Sequence, residues 1–309
     1  MRQKHLFRFA LKDIQDSKDT ARVRGLSEEL KRADETLSRH FQVHTIPIEY
    51  EEREKYHEYA RDAMTQWKNA VYVKPPVNIF LSNYARIVPG IHKIFPHDSP
   101  ELPREIRRAG YRGILLPGEC MSEGGQFVMG DKFCLATDVY FNDKSAVKSL
   151  QRRAGKPVLP VYSFTSISHA HIDCDYAIVD DIRTLYTSLD MNAICAESEL
   201  SDPLSLAIHA GEVNSRRTLG RIASEHGYDV RKYRMSEEPF PETSNGRYPN
   251  INGLNLLTGD GAIFTTNVHP GEKAYLQKRG IEVVVIPLGH TTPGAGLRCV
   301  YGEITIYNK

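Results

Sequence analysis

The sequence has no CxxC pair. Its five cysteines (Cys120, Cys134, Cys174, Cys195 and Cys299) are odd in number and widely spaced. That pattern argues against a disulfide framework and fits free thiols in a reducing compartment, so a cytoplasmic location is expected. No apolar run approaches the length of a membrane span. The opening MRQKHLFRFALKD has basic residues but only interrupted apolar ones, unlike a signal peptide. Charge of one sign is also missing. The 40 Lys and Arg against 39 Asp and Glu leave +1, so no whole-chain field draws the protein to nucleic acid or to a membrane. The basic pairs Arg107-Arg108, Arg152-Arg153 and Arg216-Arg217 sit among helix-forming residues and read as solvated helix faces. There is no HExxH or similar ligand spacing, and no metal or organic cofactor is expected.

What is present is ordinary globular material, 309 residues with 40% hydrophobic and 26% charged, enough for one large domain or two ordinary ones. Residues 1 to 75 are the most helical in pattern. LSEELKRADETLSRHF (26–41) has apolar residues at helical spacing. QVHTIPIEY reads as a strand and EEREKYHEYARDAMTQWKNA as a second helix, ended by Pro75-Pro76. From residue 77 a unit of strand, strand, helix and strand recurs about four times. Hairpins are expected around Ser82-Asn83-Tyr84, around Gly130-Asp131, between DYAIVDD and RTLYTSL, and within NGLNLLTGDGAIFTT. A fifth unit is completed by the N-terminal helix and strand with the final strand. Each unit is too small to bury its own sheet face, so the units must share a core. One α/β domain spanning 1–309 is expected, with extra N-terminal helices. A division near 200–212 is the alternative, because ESELSDPLSLAIHAGE departs from the rhythm. A homo-oligomer is left open.

Three polar clusters fall at turns of the repeat. In GECMSEGGQFVMGD, Glu123 precedes two glycines, which either let backbone approach a ligand or merely begin a hairpin. In SISHAHIDCDYAIVDD, His171 and Asp173 are two residues apart at the start of a strand. They therefore share a face, as an acid/base and its electrostatic partner do. His169 and Asp175 extend that line toward a metal-binding reading that the spacing does not otherwise support. In GHTTPGAGLRCVYGEIT, a loosened loop delivers Cys299 to the start of a strand-like run. A thiol there is either a small buried hydrophobe or a nucleophile.

These motifs, in this order, resemble the guanidino-group-modifying enzymes, the superfamily of arginine, agmatine and peptidylarginine deiminases, dimethylarginine hydrolases and amidinotransferases. SEGGQFVMG is similar to the family's acidic-Gly-Gly hairpin, HID (171–173) to its His-x-Asp, and GAGLRC to the glycine-rich loop before its catalytic cysteine. The resemblance covers roughly residues 77 to 309 and implies the family's five-bladed α/β propeller, the pentein fold. It implies Cys299 as nucleophile, His171 as general acid/base, and Glu123 and Asp173 as guanidinium-binding carboxylates. A small guanidino compound is the implied partner, attacked through a covalent amidino-thioether. Water resolves that intermediate in a hydrolase and an amine in an amidinotransferase. A catalytically silent binding module is the reading from another class. There is one departure. Where the family usually has an acid in a phrase like Phe-Thr-Arg-Asp, IFLSNYARIVPG places Asn83. A neutral amide there suits a dihydrolase that releases two ammonias.

Overall fold

The computed structural model describes residues 3–12, 20–49, 64–67, 70–73, 101–108, 112–115, 125, 127–137, 155–161, 172–188, 219–236, 253–289 and 296–306. The chain begins with β1 (Gln3–Lys12), α1 (Thr20–Leu37) and β2 (Gln42–Glu49). It continues through β3 (Met64–Trp67), β4 (Ala70–Val73), α2 (Glu101–Arg108) and β5 (Arg112–Leu115). Next come β6 (Phe127–Met129), β7 (Cys134–Thr137) and β8 (Val158–Val161), then β9 (Tyr176–Val179), β10 (Thr184–Thr187), α3 (Leu219–Glu225) and β11 (Asp229–Lys232). The last part comprises β12 (Leu257–Gly259), β13 (Ala262–Thr265), α4 (Pro270–Lys278), β14 (Glu282–Val285), the short helical turn α5 (Leu297–Val300) and β15 (Gly302–Ile306).

These strands form five three-stranded sheets, β3-β4-β5, β6-β7-β8, β9-β10-β11, β12-β13-β14 and β15-β1-β2. Every sheet has one plan. The first two strands pair antiparallel and the third lies parallel to the second. A parallel step needs a crossover, and a described helix lies in it in four of the five sheets. A repeat of this plan is therefore present, including the fifth unit built from both ends of the chain, but the first sheet takes its hairpin from residues 64–73 rather than from the strands expected around 77–90.

Two expectations are corrected. The opening residues are not helical, because Gln3–Lys12 is the central strand of the β15-β1-β2 sheet. Where a helix is expected over EEREKYHEYARDAMTQWKNA, the earlier part of that stretch lies outside the described residues, and Met64–Trp67 and Ala70–Val73 form the β3–β4 hairpin. Its strands MTQW and AVYV, rich in β-branched and aromatic residues, are linked by Lys68-Asn69. The strands expected around 77–90, the helix SAVKSLQRRAG and the 200–212 division lie outside the described residues.

The hairpins at 130 and 260 follow their turn chemistry. The Gly130 N–H donates to the Phe133 carbonyl at 3.0 Å, and a Cβ at Gly130 would press on Ile178 at 2.8 Å. Asp260 and Gly261 both take positive φ (46° and 75°), the two-residue link that matches strand twist. On α1, Leu26, Leu30, Ala33 and Leu37 recur at intervals of four, three and four and are all buried. Burial of each of these leucines stabilises by about 1.5–3 kcal/mol.

Neighbouring sheets share side chains. The β6 and β9 sheets pack through Val128, Phe133, Ile178 and Tyr228. The β9 and β12 sheets meet through Tyr186, Tyr233, Leu256 and Ile263. There the Tyr186 hydroxyl donates to the buried Glu272 Oε1 at 2.9 Å, and the Arg231 guanidinium lies 3.6 Å from the Tyr275 ring centroid. The β12 and β15 sheets meet through Phe264 and Phe41, edge to face at 5.0 Å, and Lys4 Nζ donates to Thr258 Oγ1 at 3.1 Å. β15 in turn lies against β3. Arg107 and Arg108 are exposed on α2, as a solvated face requires. Among the described residues, no helix is long and apolar enough to cross a membrane.

Candidate active site

The site is built where the segments leading into β9, β12 and β15 meet. Cys299 lies in α5, three residues before β15, and is 7% exposed. The expected loop-to-strand step is instead a single helical turn. Such a turn leaves its first amides without intrahelical partners, and Asn255 of the neighbouring sheet supplies acceptors. Its backbone carbonyl accepts from the Arg298 N–H at 3.3 Å and its Oδ1 accepts from the Cys299 N–H at 2.8 Å. The nucleophile candidate is thus held by an amide 44 residues away in sequence.

Asn255 is fully buried and is itself fixed by its own loop. Gly253, two residues earlier, lies so close to Asn267 that a Cβ would meet that residue's carbonyl oxygen at 1.9 Å. No rotamer relieves a clash with backbone, so this position requires glycine. Thr265 Oγ1 completes the brace, donating to the Gly253 carbonyl at 2.6 Å.

The other face of Asn255 reaches the segment before β9. Its Nδ2 donates to the Asp173 carbonyl at 3.2 Å and lies 3.9 Å from Cys174 Sγ. Ile172–Cys174 is a 3-10 turn rather than strand, so strand alternation does not set the direction of Asp173. The Asp173 side chain is fully buried, and its Oδ2 has no hydrogen-bond partner among the described residues. A buried carboxylate oxygen without a donor is costly, and a cationic donor entering the site would relieve that cost. Asp175, considered above as a possible ligand, is buried and used structurally. Its carbonyl accepts from the Ser188 N–H at 3.0 Å, and its carboxylate lies 3.4 Å from Ser188 Oγ.

One oxygen of Asp173, Cys174 Sγ and Cys299 Sγ all lie within 4.8 Å of one another. The Cys174 thiol is pushed well above its usual range, first by its hydrogen bond with Cys299, then by burial and by the charges at Cys299, Asp173 and Asp175. Cys134, buried in β7, is pushed up to about 11, chiefly by burial.

Of the residues singled out in the sequence, the structure brings Cys299 and Asp173 together. His171, Glu123, Asn83 and His169 lie outside the described residues. Sequence reasoning missed Asn255 and Cys174 as neighbours of Cys299. The only local signal for Asn255 was its place just before a first strand.

Among solved structures, the chain aligns over 97% of its length with the C. jejuni agmatine deiminase, at TM-score 0.57 and 12% identity, covering 93% of that chain. It aligns over 97% with the substrate-bound N-terminal domain of ArgZ, an arginine dihydrolase from the ornithine–ammonia cycle in cyanobacteria, at TM-score 0.58 and 12% identity, covering 97% of that domain. The chain has the fold of the guanidino-group-modifying enzymes. It spans 40% of the longer ArgZ chain, which it matches at TM-score 0.55 and 11% identity. Both this dihydrolase and the agmatine deiminase have been solved as cysteine-to-serine variants with substrate bound. By sequence, the chain matches no protein-family model and no curated protein. At such identities the guanidino-group-modifying fold is what the likeness shows.

Proposed function

We propose that this chain hydrolyses a guanidino compound, arginine or an arginine derivative, through a covalent intermediate on Cys299, and that its five sheets close into a five-bladed propeller around the site. The observation that carries the proposal is the meeting of Cys299 with the buried carboxylate of Asp173, one oxygen of which, Oδ2, has no hydrogen-bond partner among the described residues. A planar guanidinium supplies paired N–H donors to such a carboxylate. A cation beside a thiol also favours its thiolate. In the proposed reaction, Cys299 Sγ attacks the central carbon of the guanidinium. The C–N bond to the leaving amine breaks, and His171 gives that amine a proton. Water then adds to the amidino-thioether, His171 takes a proton from it, and the C–S bond breaks to release a ureido product and the thiolate. Glu123 serves as a second carboxylate for the guanidinium.

The first sheet bears on Asn83. Its hairpin is β3–β4, and YARDAM (59–64) leads directly into it, so Arg61-Asp62 stand in sequence just before β3. Glu123, Asp173, Asn255 and Cys299 likewise stand two to four residues before β6, β9, β12 and β15. Asp62 therefore fits the first-blade acid better than Asn83 does, and with a carboxylate there the reaction stops at the ureido product. Asn83 in that place is the second reading, and it calls for two ammonias.

The test is incubation with arginine, agmatine and methylarginines, scoring ammonia, ureido product and amine, with acid-quenched protein analysed for adducts. One ammonia per ureido product and an adduct on the Cys299 peptide are expected. Cys299→Ala abolishes turnover and keeps the fold. Asp62→Asn lowers kcat/KM by about 10²-fold, as loss of a charged hydrogen-bond partner does, while Asn83→Asp changes little. Two ammonias per amine would restore Asn83, amidine transfer to an added amine would make the chain a transferase, and an active Cys299→Ala would remove the covalent mechanism.

A further inference from the structure

We propose that Cys299, Cys174 and Asp173 form a binding site for a soft divalent cation such as zinc, and that occupancy blocks the Cys299 thiol. Two sulfurs and a carboxylate oxygen within 4.8 Å of one another nearly match a tetrahedral zinc site, whose metal–sulfur bonds of about 2.3 Å set neighbouring sulfurs about 3.8 Å apart. Independently, the buried Asp173 carboxylate has one oxygen, Oδ2, without a hydrogen-bond partner among the described residues, while its Oδ1 lies 3.8 Å from Cys174 Sγ, so a cation beside this carboxylate resolves an existing electrostatic deficit. The cradle is also built before any ion arrives. Asp173 and Cys174 share one 3-10 turn, and the Asn255 amide ties that turn to the Cys299 amide. Sulfur donors favour zinc and cadmium, whereas magnesium and calcium seek six or more oxygens. Binding replaces the two thiol protons, which leave to solvent, and forms two metal–sulfur bonds. The Cys299 lone pair is then engaged and no longer free to attack carbon.

This site does not depend on the reaction proposed above, and its test uses no substrate. The full chain, reduced and freed of metal, is titrated with zinc against a chromophoric chelator. One equivalent should bind, and Cys174→Ser and Cys299→Ser should each weaken binding by about 100-fold or more, at the upper end of or beyond the loss from an outer-shell change. Zinc should also protect Cys299 from iodoacetamide in wild type and not in Cys174→Ser. Binding undiminished in Cys174→Ser, or no protection of Cys299, overturns the proposal. Should the serine variants fail to fold, cadmium added to wild type decides. Ultraviolet charge-transfer absorption of two thiolates supports the site, and its absence overturns it.

Discussion

Asn255→Ala removes one side chain and unties three segments. The buried amide accepts from the Cys299 N–H at 2.8 Å and donates to the Asp173 carbonyl at 3.2 Å. Truncation leaves one buried donor and one buried acceptor without these partners, each costing about 1–3 kcal/mol. A water entering the polar gap recovers part of that, so the expected loss is about 2–4 kcal/mol. Urea unfolding measures it, with an unchanged slope showing that the unfolded state is not responsible. Asn255→Asp is the sharper variant. It keeps an acceptor for the Cys299 N–H but turns a second oxygen toward the Asp173 carbonyl, beside a buried carboxylate. The new carboxyl is stabilised when protonated, so its folded pKa lies above the ordinary value. Stability is then retained at acid pH and lost as pH rises through that raised value. Under the proposed function, turnover of a guanidino substrate should fall in Asn255→Ala, because the α5 turn loses the acceptor that fixes Cys299, and in Asn255→Asp, because the tie to the Asp173 carbonyl is lost. A loss below about 1 kcal/mol in Asn255→Ala with unchanged kcat would refute this account of how Cys299 is held.

Glu272→Ala removes the acceptor for the buried Tyr186 hydroxyl between the third and fourth sheets and should cost about 2 kcal/mol, whereas Glu272→Gln, which keeps an acceptor, should cost under about 1 kcal/mol; equal losses in urea unfolding would reject the hydrogen-bond explanation. At the β1–β2 pair, His5 Nδ1 lies 3.1 Å from His44 Nε2, and burial first, then His44, lowers the His5 pKa from 6.5. A base with a lowered folded pKa contributes stability above pH 6.5 that is lost as pH falls toward the lowered value. Thermal melts from pH 7.5 to 5 should show that loss in wild type and less of it in His5→Asn, and parallel curves would dismiss the pair as its source.

Local chemistry made the repeat legible. Asp260-Gly261 announces a hairpin because its backbone takes the positive φ those residues tolerate, and Gly130-Asp131 because a side chain at 130 would press on Ile178. Leu26, Leu30, Ala33 and Leu37 announce α1 because one face must be apolar. The β3–β4 hairpin was hidden because YHEYARDAMTQWKNA is rich in helix formers and Lys68-Asn69 is a weak turn signal. Its second strand, β4, pairs with β5, a contact across the crossover. Cys299 is singled out by its motif, but its setting is not legible there. The α5 turn is held by Asn255, and Cys174 reaches the thiol from another sheet. Neither relation leaves a periodic trace in the chain.

The repeat also explains why the chemistry gathers where it does. The segments leading into β9, β12 and β15 belong to three different sheets of one plan, and the structure brings Asp173, Asn255 and Cys299 together from them. Equivalent segments lead into β3 and β6 and carry Asp62 and Glu123. If repeated sheets turn by similar steps, a ring that brings three such segments to one place brings the other two there as well. Closure of the ring and completion of the carboxylate set are thus a single proposal. In the proposed ring Cys299 would sit at the seam, because the sheet that follows it joins β1 to β15. Lys4 and Glu303, 299 residues apart, pair across β1 and β15, and Tyr301, two residues after Cys299, donates to Asp34 Oδ1 at 2.9 Å. Arg8 Nε holds the same carboxylate at 2.8 and 2.9 Å. Through α1 and β1, the N-terminal segment therefore fixes the strand that follows the thiol, so Cys299 takes its final position only when the two ends of the chain have met.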